Sequence, residues 1–158
     1  MTLFNPADTA RSIIDNTNFL SLATFNGKET WIAPLFFAHD QFKTIYFVSS
    51  LESVHAQHIL VQSQVAVSVF NSNQKEGDIN TNGIQIRGQA FLADKSEYAK
   101  IIKLFNNRIF PGQNQPVDET RYDETSRRIF KIHINEIYLQ DPQYFEKYQI
   151  DKRIKVVF

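Results

Sequence analysis

Residues 44–50, TIYFVSS, run into 51–62, LESVHAQHILVQ, and these lead to 65–70, VAVSVF. The two outer stretches are β-branched and aromatic, a composition that suits a pleated, half-buried surface, so both read as strands. The stretch between them reads as a short helix. Val54, Ile59 and Leu60 make its apolar side, and Ser50 or Ser53 supplies the capping oxygen. A strand, a helix and a strand thus follow one another at the middle of the chain.

Upstream, Asn5 before Pro6 is a helix cap with proline at the first helical position, and Ala7, Ala10, Ile13 and Ile14 then share a face. That helix is expected to end near residues 16–18. Residues 19–25, FLSLATF, form a strand closed by Asn26-Gly27, a dipeptide that tolerates left-handed backbone and marks a tight hairpin turn. The partner strand, residues 30–38 (TWIAPLFFA), is apolar on both faces, as for a strand covered from inside and outside. Pro34 interrupts it. Proline cannot donate to a ladder, so it marks an edge, a bulge or a departure from the neighbouring strand. Residues 39–43 are a polar link into TIYFVSS, which completes a three-stranded meander.

Downstream, residues 71–82 are polar, lack apolar periodicity and read as loop. Ile84, Ile86, Gly88, Ala90 and Leu92 then alternate with Gln85, Arg87, Gln89 and Phe91, the two-residue period of a strand. Asp94 and Glu97 form a capping box; Tyr98, Ile101, Ile102, Phe105 and Ile109 line one face of the helix behind it, and Phe110-Pro111-Gly112 stops that helix. The polar stretch up to about residue 127 supports no more than loop or a surface turn. Residues 128–139 make the sixth strand, with Phe130, Ile132 and Ile134 alternating against Lys131, His133 and Asn135. The tail Val156-Val157-Phe158 is apolar enough to pack. No repeat or Gly/Ser linker divides the chain. The expectation is a mainly β, α+β chain, a single domain over residues 1–158 built as a six-stranded antiparallel barrel with accessory helices. Closure of the barrel removes most exposed strand edge.

Composition narrows the function. Seventeen basic residues balance seventeen acidic ones, so no global field draws the chain to nucleic acid or an anionic membrane. The absence of cysteine excludes disulfides, thiolate nucleophiles and Cys-based zinc or iron–sulfur sites. Pro6 and Asp8 stand where a secretory signal needs a basic region and an apolar core, and no run approaches the roughly 18–20 apolar residues of a membrane helix. A soluble, cytoplasmic protein is expected.

There is no Walker loop, Rossmann glycine fingerprint, HExxH or G-x-S-x-G motif. Of His39, His55, His58 and His133, only His55 and His58 lie together, and a metal would need further ligands, so none is expected. Ser49, Ser50, Ser53 and His55 gather where TIYFVSS passes into the helix. Hydroxyls at a strand end, amides at a helix start and an imidazolium one turn in would together hold a phosphate. The same residues also make a serine-rich cap beside an exposed histidine.

The order of TIYFVSS, SVHAQHI, VAVSVF and GIQIRGQAFL, within residues 10–140, resembles the FMN-binding split barrels related to pyridoxamine 5'-phosphate oxidase. The Phe110-Pro111 step after Asn107-Arg108 is similar to that of a short bacterial branch of this family. The resemblance implies a split barrel working as a homodimer with FMN at the interface. It places the FMN phosphate at Ser49, Ser50, Ser53 and His55, the last standing where lysine is commoner. It runs the backbone of the second strand, at Trp31, Ala33, Pro34 and Leu35, along the isoalloxazine ring, which gives Pro34 its reason; Trp31 and Leu35 also fit plain core. Gln85 and Arg87, on the strand face opposite Ile84 and Ile86, become candidates for the ring's pyrimidine edge; both also fit plain solvent-facing alternation.

The activity implied is that of a flavin-dependent oxidoreductase acting on an unidentified small molecule. No catalytic residue is assigned, because flavin carries the redox chemistry. A true pyridoxamine phosphate oxidase is not implied, since the arginine and histidine set used for that substrate has no match at the carboxyl end. The alternatives are a non-catalytic flavin- or heme-binding module, or a barrel using F420, whose anionic tail wants more basic residues than SVHAQH offers. Histidine has an ordinary pKa of about 6.5, which a phosphate bound at position 55 would raise, so the imidazolium–phosphate contact would be present at low pH and fade as pH rises through the raised value.

Overall fold

The computed structural model describes residues 4–73, 83–108, 118–122 and 125–158. Asn5 caps α1 (Pro6–Asn16), its Oδ1 accepting from the amides of Ala7 and Asp8 at 3.0 and 3.3 Å, and Ala10, Ile13 and Ile14 are buried on the barrel. Strands β1 (Phe19–Phe25), β2 (Thr30–Asp40) and β3 (Thr44–Ser50) form the meander, and α2 (Val54–Val61) leads to β4 (Gln64–Phe70). β5 (Gly83–Leu92), α3 (Tyr98–Asn106), β6 (Arg127–Gln140), α4 (Pro142–Tyr148) and β7 (Arg153–Lys155) complete the order. The sheet runs β3-β2-β1-β4-β5-β6-β7 with β3 pairing back on β6, so six antiparallel strands close a barrel. β7 takes the length of β6 that β3 leaves.

Alternation fills the barrel. Leu20, Leu22, Phe37, Ile45, Phe47, Val67, Ile84, Ile86, Phe130 and Ile132 point inward, and the Phe47 and Phe130 rings stack at 5.1 Å. A second cluster, of Tyr46, Ile129, Tyr98, Ile101, Ile102 and Phe105, seats α3 on the outside of β2 and β3. The Asp94–Glu97 capping box is present, with Glu97 Oε2 accepting from the Asp94 amide at 3.0 Å, and it opens a 3₁₀ turn that runs into α3. Ile109 and Phe110-Pro111-Gly112 lie outside the described residues, as does most of 71–82.

Four local expectations change. Asn26-Gly27 belongs to a four-residue loop, not a two-residue turn: the Asn26 amide donates to the Glu29 carbonyl, and Asn26 Oδ1 accepts from the Lys28 and Glu29 amides at 2.9 Å. Only Gly27 is left-handed there, at φ 95°. The left-handed pair falls instead at Gln41 and Phe42 (φ 48° and 59°), closed by the Lys43 amide on the Asp40 carbonyl. Phe42 is held between the rings of His39 and Phe158. Helix α2 is turned from the face expected: Ile59 is buried as expected, but Val54 and Leu60 are exposed and His55, Ala56 and His58 are buried in their place. Leu92 is exposed rather than inward. The α4 helix and β7 have no apolar signal, since none of their residues is buried.

Candidate functional site

β2 and β3 pair only between Phe37–Asp40 and Thr44–Phe47; beyond that, β2 follows β1 and β3 follows β6. The strands therefore part, and α2, entered from the end of β3, packs on β1, β2 and β5. The Phe37 amide donates to the Asn18 carbonyl beside β1 at 3.2 Å. Alternation along an antiparallel strand then turns the backbone groups of Trp31, Ala33 and Leu35 toward β1 and those of Ile32, Pro34 and Phe36 toward the opening. Pro34 thus sits on the split edge, where its missing N–H costs no ladder bond. Ala33 is buried opposite Leu22, Leu35 packs on the core, and Trp31 is exposed opposite Thr24. Ile32 and Phe36 share the open edge with Pro34 but were not singled out in sequence. The signal was Pro34 itself, whose edge is shared by the residues two before and two after it.

The far wall is the end of β3 and the start of α2. Ser53 caps α2, its Oγ accepting from the Ala56 amide at 3.3 Å and donating to the Ser50 carbonyl at 2.9 Å. Ser49 Oγ lies 2.7 Å from His55 Nε2 and 2.9 Å from Ser53 Oγ, and Ser53 Oγ lies 3.2 Å from the same nitrogen. Ser49 and His55 are both buried. The fold thus brings Ser49, Ser53 and His55 together. Ser50 turns to the other face, where its Oγ meets Ser126 Oγ at 2.9 Å. His55 is buried rather than exposed, and in the chain without ligand that burial, reinforced by the nearby His58, holds its pKa below the ordinary value.

A positively charged residue lies on the neighbouring strand beside this wall. The β3–β6 register sets Arg128 opposite Ser49, and cross-strand partners share a face. Arg128 Nη1 donates to the carbonyls of Tyr122, Thr125 and Arg127 at 3.2, 2.7 and 2.7 Å, which anchors the guanidinium by one nitrogen. Sequence reasoning missed it because only strand register joins residues 49 and 128. His58 Nδ1 lies 3.1 Å from Thr24 Oγ1, and its Nε2 is 3.9 Å from Glu29 Oε1. Among the described residues no group of three or more His, Asp or Glu could hold a metal.

Gln85 and Arg87 are not brought to the opening. The register runs Pro34, Ser21, Ser68, Gln85, Tyr138 across the outer face, so Gln85 stands three strand spacings, about 14 Å, from Pro34. Arg87 pairs with Glu136 at 3.4 Å and lies over the Tyr138 ring. Two troughs hollow this face: one of about 700 Å³ beside Ala23, Ala66, Gln89 and Glu136, and one of about 450 Å³ beside Ser21, Ser68, Gln85 and Tyr138. They are floored by small side chains, and Phe25, Ile32 and Phe70 stand exposed on the same face. Size does not make them the anion site: the hydroxyls and first-turn amides that suit a phosphate are at the split.

The family model for pyridoxamine 5'-phosphate oxidase matches residues 7–141. Solved structures share the fold. An FAD-binding protein from Mesorhizobium loti is 13% identical with a TM-score of 0.60, over 85% of this chain and 92% of that one. The heme storage protein of Vibrio cholerae is 12% identical with a TM-score of 0.65, over 85% and 94%. A heme binding protein from Mycobacterium smegmatis is 12% identical with a TM-score of 0.71, over 99% and 60%. At these identities the likeness is one of fold. No curated protein matches the sequence.

Proposed function

Because the chain belongs to the pyridoxamine 5'-phosphate oxidase family, we propose that it binds FMN in the opening between β2 and β3 and acts as a cytoplasmic, homodimeric flavin-dependent oxidoreductase on a small molecule. The observation that carries this reading is the split itself, with a proline-bearing strand edge on one side and a hydroxyl-rich helix start on the other. On the phosphate side, Ser49 and Ser53 supply hydroxyls, Val54 and His55 supply first-turn amides, and Arg128 supplies charge. His55 serves as the neutral partner that orients the Ser49 hydroxyl. The open edge of Ile32, Pro34 and Phe36, with Trp31 beside it, offers backbone donors and acceptors to the ring. Bound flavin would supply the electron chemistry, and the chain orients it.

Flavin is favoured over heme because the wall gathers serine hydroxyls and helix-start amides, which suit a phosphate rather than a porphyrin iron. A single arginine at the wall suits one phosphate better than the long anionic tail of F420. The homodimer reading rests on the exposed Phe25, Ile32 and Phe70 around the outer troughs. A second copy over this face would give Gln85 and Arg87 a route to the ring held by its partner.

Titration of flavin-free protein with FMN and with riboflavin tests the reading, and mass spectrometry of the cofactor released from the purified protein adds an independent check. FMN should bind tighter, and Arg128→Gln should weaken FMN about ten- to a hundredfold while leaving riboflavin nearly unchanged. Equal affinity for the two flavins would remove the phosphate site, and no flavin binding at all would remove the function. Sedimentation of the FMN-loaded protein should show a dimer at micromolar concentration; a stable monomer would exclude the shared interface.

A further inference from the structure

The trough of about 450 Å³ on the outer face has two unlike ends. Strand register sets Ile32, Ala23, Ala66 and Arg87 in one row across β2, β1, β4 and β5, so Ile32 and Arg87 stand three strand spacings, about 14 Å, apart. Between them the floor is made of small side chains, Ala23 and Ala66 in this row and Ser21 and Ser68 in the next. Ile32 is exposed and apolar. At the other end stand Arg87, Tyr138 and Arg153, and no carboxylate is among the described residues that line this trough. We propose that the trough binds a small carboxylic acid, with its carboxylate between Arg87 and Arg153 and its apolar body toward Ile32. The site is argued from the chain alone; that the acid is the substrate rests on the flavin reading, which runs the ring along the edge at Ile32.

Register also sets the two cations around one point. Arg87 pairs with Glu136 and Arg153 pairs with Gln140, so the arginines flank Tyr138 on either side along β6. Arg87 lies over the Tyr138 ring, 5.6 Å from its centroid, which orders a side chain otherwise 74% exposed. Its contact with Glu136, at 3.4 Å, is the longest of the three this carboxylate makes, since Lys155 Nζ lies at 2.8 Å and Tyr138 Oη donates at 3.0 Å. Glu136 is therefore held without Arg87, and it lines the neighbouring trough of about 700 Å³ rather than this one. Arg153 meets Asp151 at 3.0 Å in the link before β7, an exposed pair of the kind that contributes little and that a ligand can replace.

The cations around the two troughs are thus Arg87, Arg153 and Lys155, set against Glu136 and Asp151, which leaves one positive charge uncompensated. One charge matches a carboxylate, and a phosphate dianion would be only half matched. The planar fork of arginine fits the two carboxylate oxygens, and Gln85, opposite Tyr138, adds an amide donor. An apolar floor with a few polar groups at one end is the usual form of a small-molecule site. In the homodimer proposed above, a second copy over this face would roof the trough.

Titration of the flavin-free full chain with cinnamate and with its neutral amide, cinnamamide, followed by amide NMR, tests the site. Cinnamate should shift the amides of Ser68, Gln85 and Tyr138, and cinnamamide should bind about tenfold weaker. Arg87→Gln and Arg153→Gln should each weaken cinnamate about tenfold, the lower end for a charge-assisted bond because the trough is open to water, while Lys103→Gln on α3 should leave it unchanged. Equal binding of acid and amide, indifference to both arginine variants, or shifts at residues 53–56 of the phosphate wall would overturn the proposal. So would tighter binding of phenyl phosphate at the same amides. A second titration in the presence of FMN separates the two readings. FMN that fails to bind defeats the flavin reading and leaves the trough standing, whereas FMN that binds while cinnamate does not, or that cinnamate displaces, defeats the trough alone.

Discussion

Gly88 shows what a single residue contributes to the barrel wall. Its place in an alternating strand was legible from Ile84, Ile86 and Ala90, but the need for glycine was not, because the cause lies across the sheet. The β5–β6 register shifts between Arg87 and Gly88, and a Cβ at position 88 would stand 2.6 Å from the His133 carbonyl oxygen and 2.8 Å from an Ile132 methyl. Backbone cannot yield as a side-chain tip can. Gly88→Ala should therefore cost about 1–3 kcal/mol, the usual range for overpacking, read from urea unfolding midpoints. An unchanged midpoint would mean that the bulge has slack. At Ser53 the loss is of another kind: Ser53→Ala removes the α2 cap, worth about 1 kcal/mol, together with a partner of both Ser49 and His55. Hydrogen exchange should show that loss in α2 before the strands.

At the scale of the element, local signals were read well and long-range ones were not. The Asn5-Pro6 cap, the Asp94–Glu97 box and the strand alternations depend on neighbours within a few residues, and all are present. Asp141-Pro142 repeats the Asn5-Pro6 signature and opens α4, with Asp141 Oδ1 accepting from the Tyr144 amide at 3.0 Å. It escaped notice because α4 has no buried face to give a period. The orientation of α2 escaped for the opposite reason. Its apolar residues suggested one face, but the strands it packs beside present Ser49 and Thr24, whose buried hydroxyls meet His55 and His58, so the histidines turn inward. The Gln41-Phe42 turn was illegible because its left-handed residues are held by ring stacking and the paired ends of β2 and β3, with no glycine to mark them. The capping box gives a direct test. Asp94→Ala should lower stability by about 0.5–2 kcal/mol, with fraying of α3 visible as faster exchange at residues 95–101, whereas an unaffected first turn would assign its order to packing alone.

Across the whole molecule, the end of the barrel opposite the split is tied together through His39. Its Nε2 lies 3.0 Å from Asp15 Oδ1 at the end of α1, and its ring stacks on Phe42, which stacks on Phe158. Arg108, just past α3, donates to the carbonyls of Ile14 and Thr17 and lies over the Phe37 ring. α1 and β2 therefore meet at the His39 imidazole, and Arg108 ties the end of α3 to the end of α1 beside it. His39 Nδ1 is buried without a partner among the described residues, so a proton added there finds no acceptor. Burial and then Arg108 lower the His39 pKa; Asp15 and Asp40 pull the other way and do not prevail. The unfolded chain thus binds this proton more readily, and the stability His39 contributes is complete above about pH 6.5 and is lost as pH falls through its depressed folded value. The lowered carboxyls of Asp94, Glu97 and Glu136 carry the opposite charge and lose their partners only further into acid, which separates the two phases. Urea unfolding from pH 8 to 5 should show stability falling below about pH 6.5, with a limiting slope of about 1.4 kcal/mol per pH unit for each titrating histidine. His39→Gln keeps an N–H for Asp15 and removes the titration, so it should flatten part of that slope, and adding His55→Gln should remove most of the remainder. If His39→Gln follows the parent curve throughout, the junction at His39 is not what acid breaks.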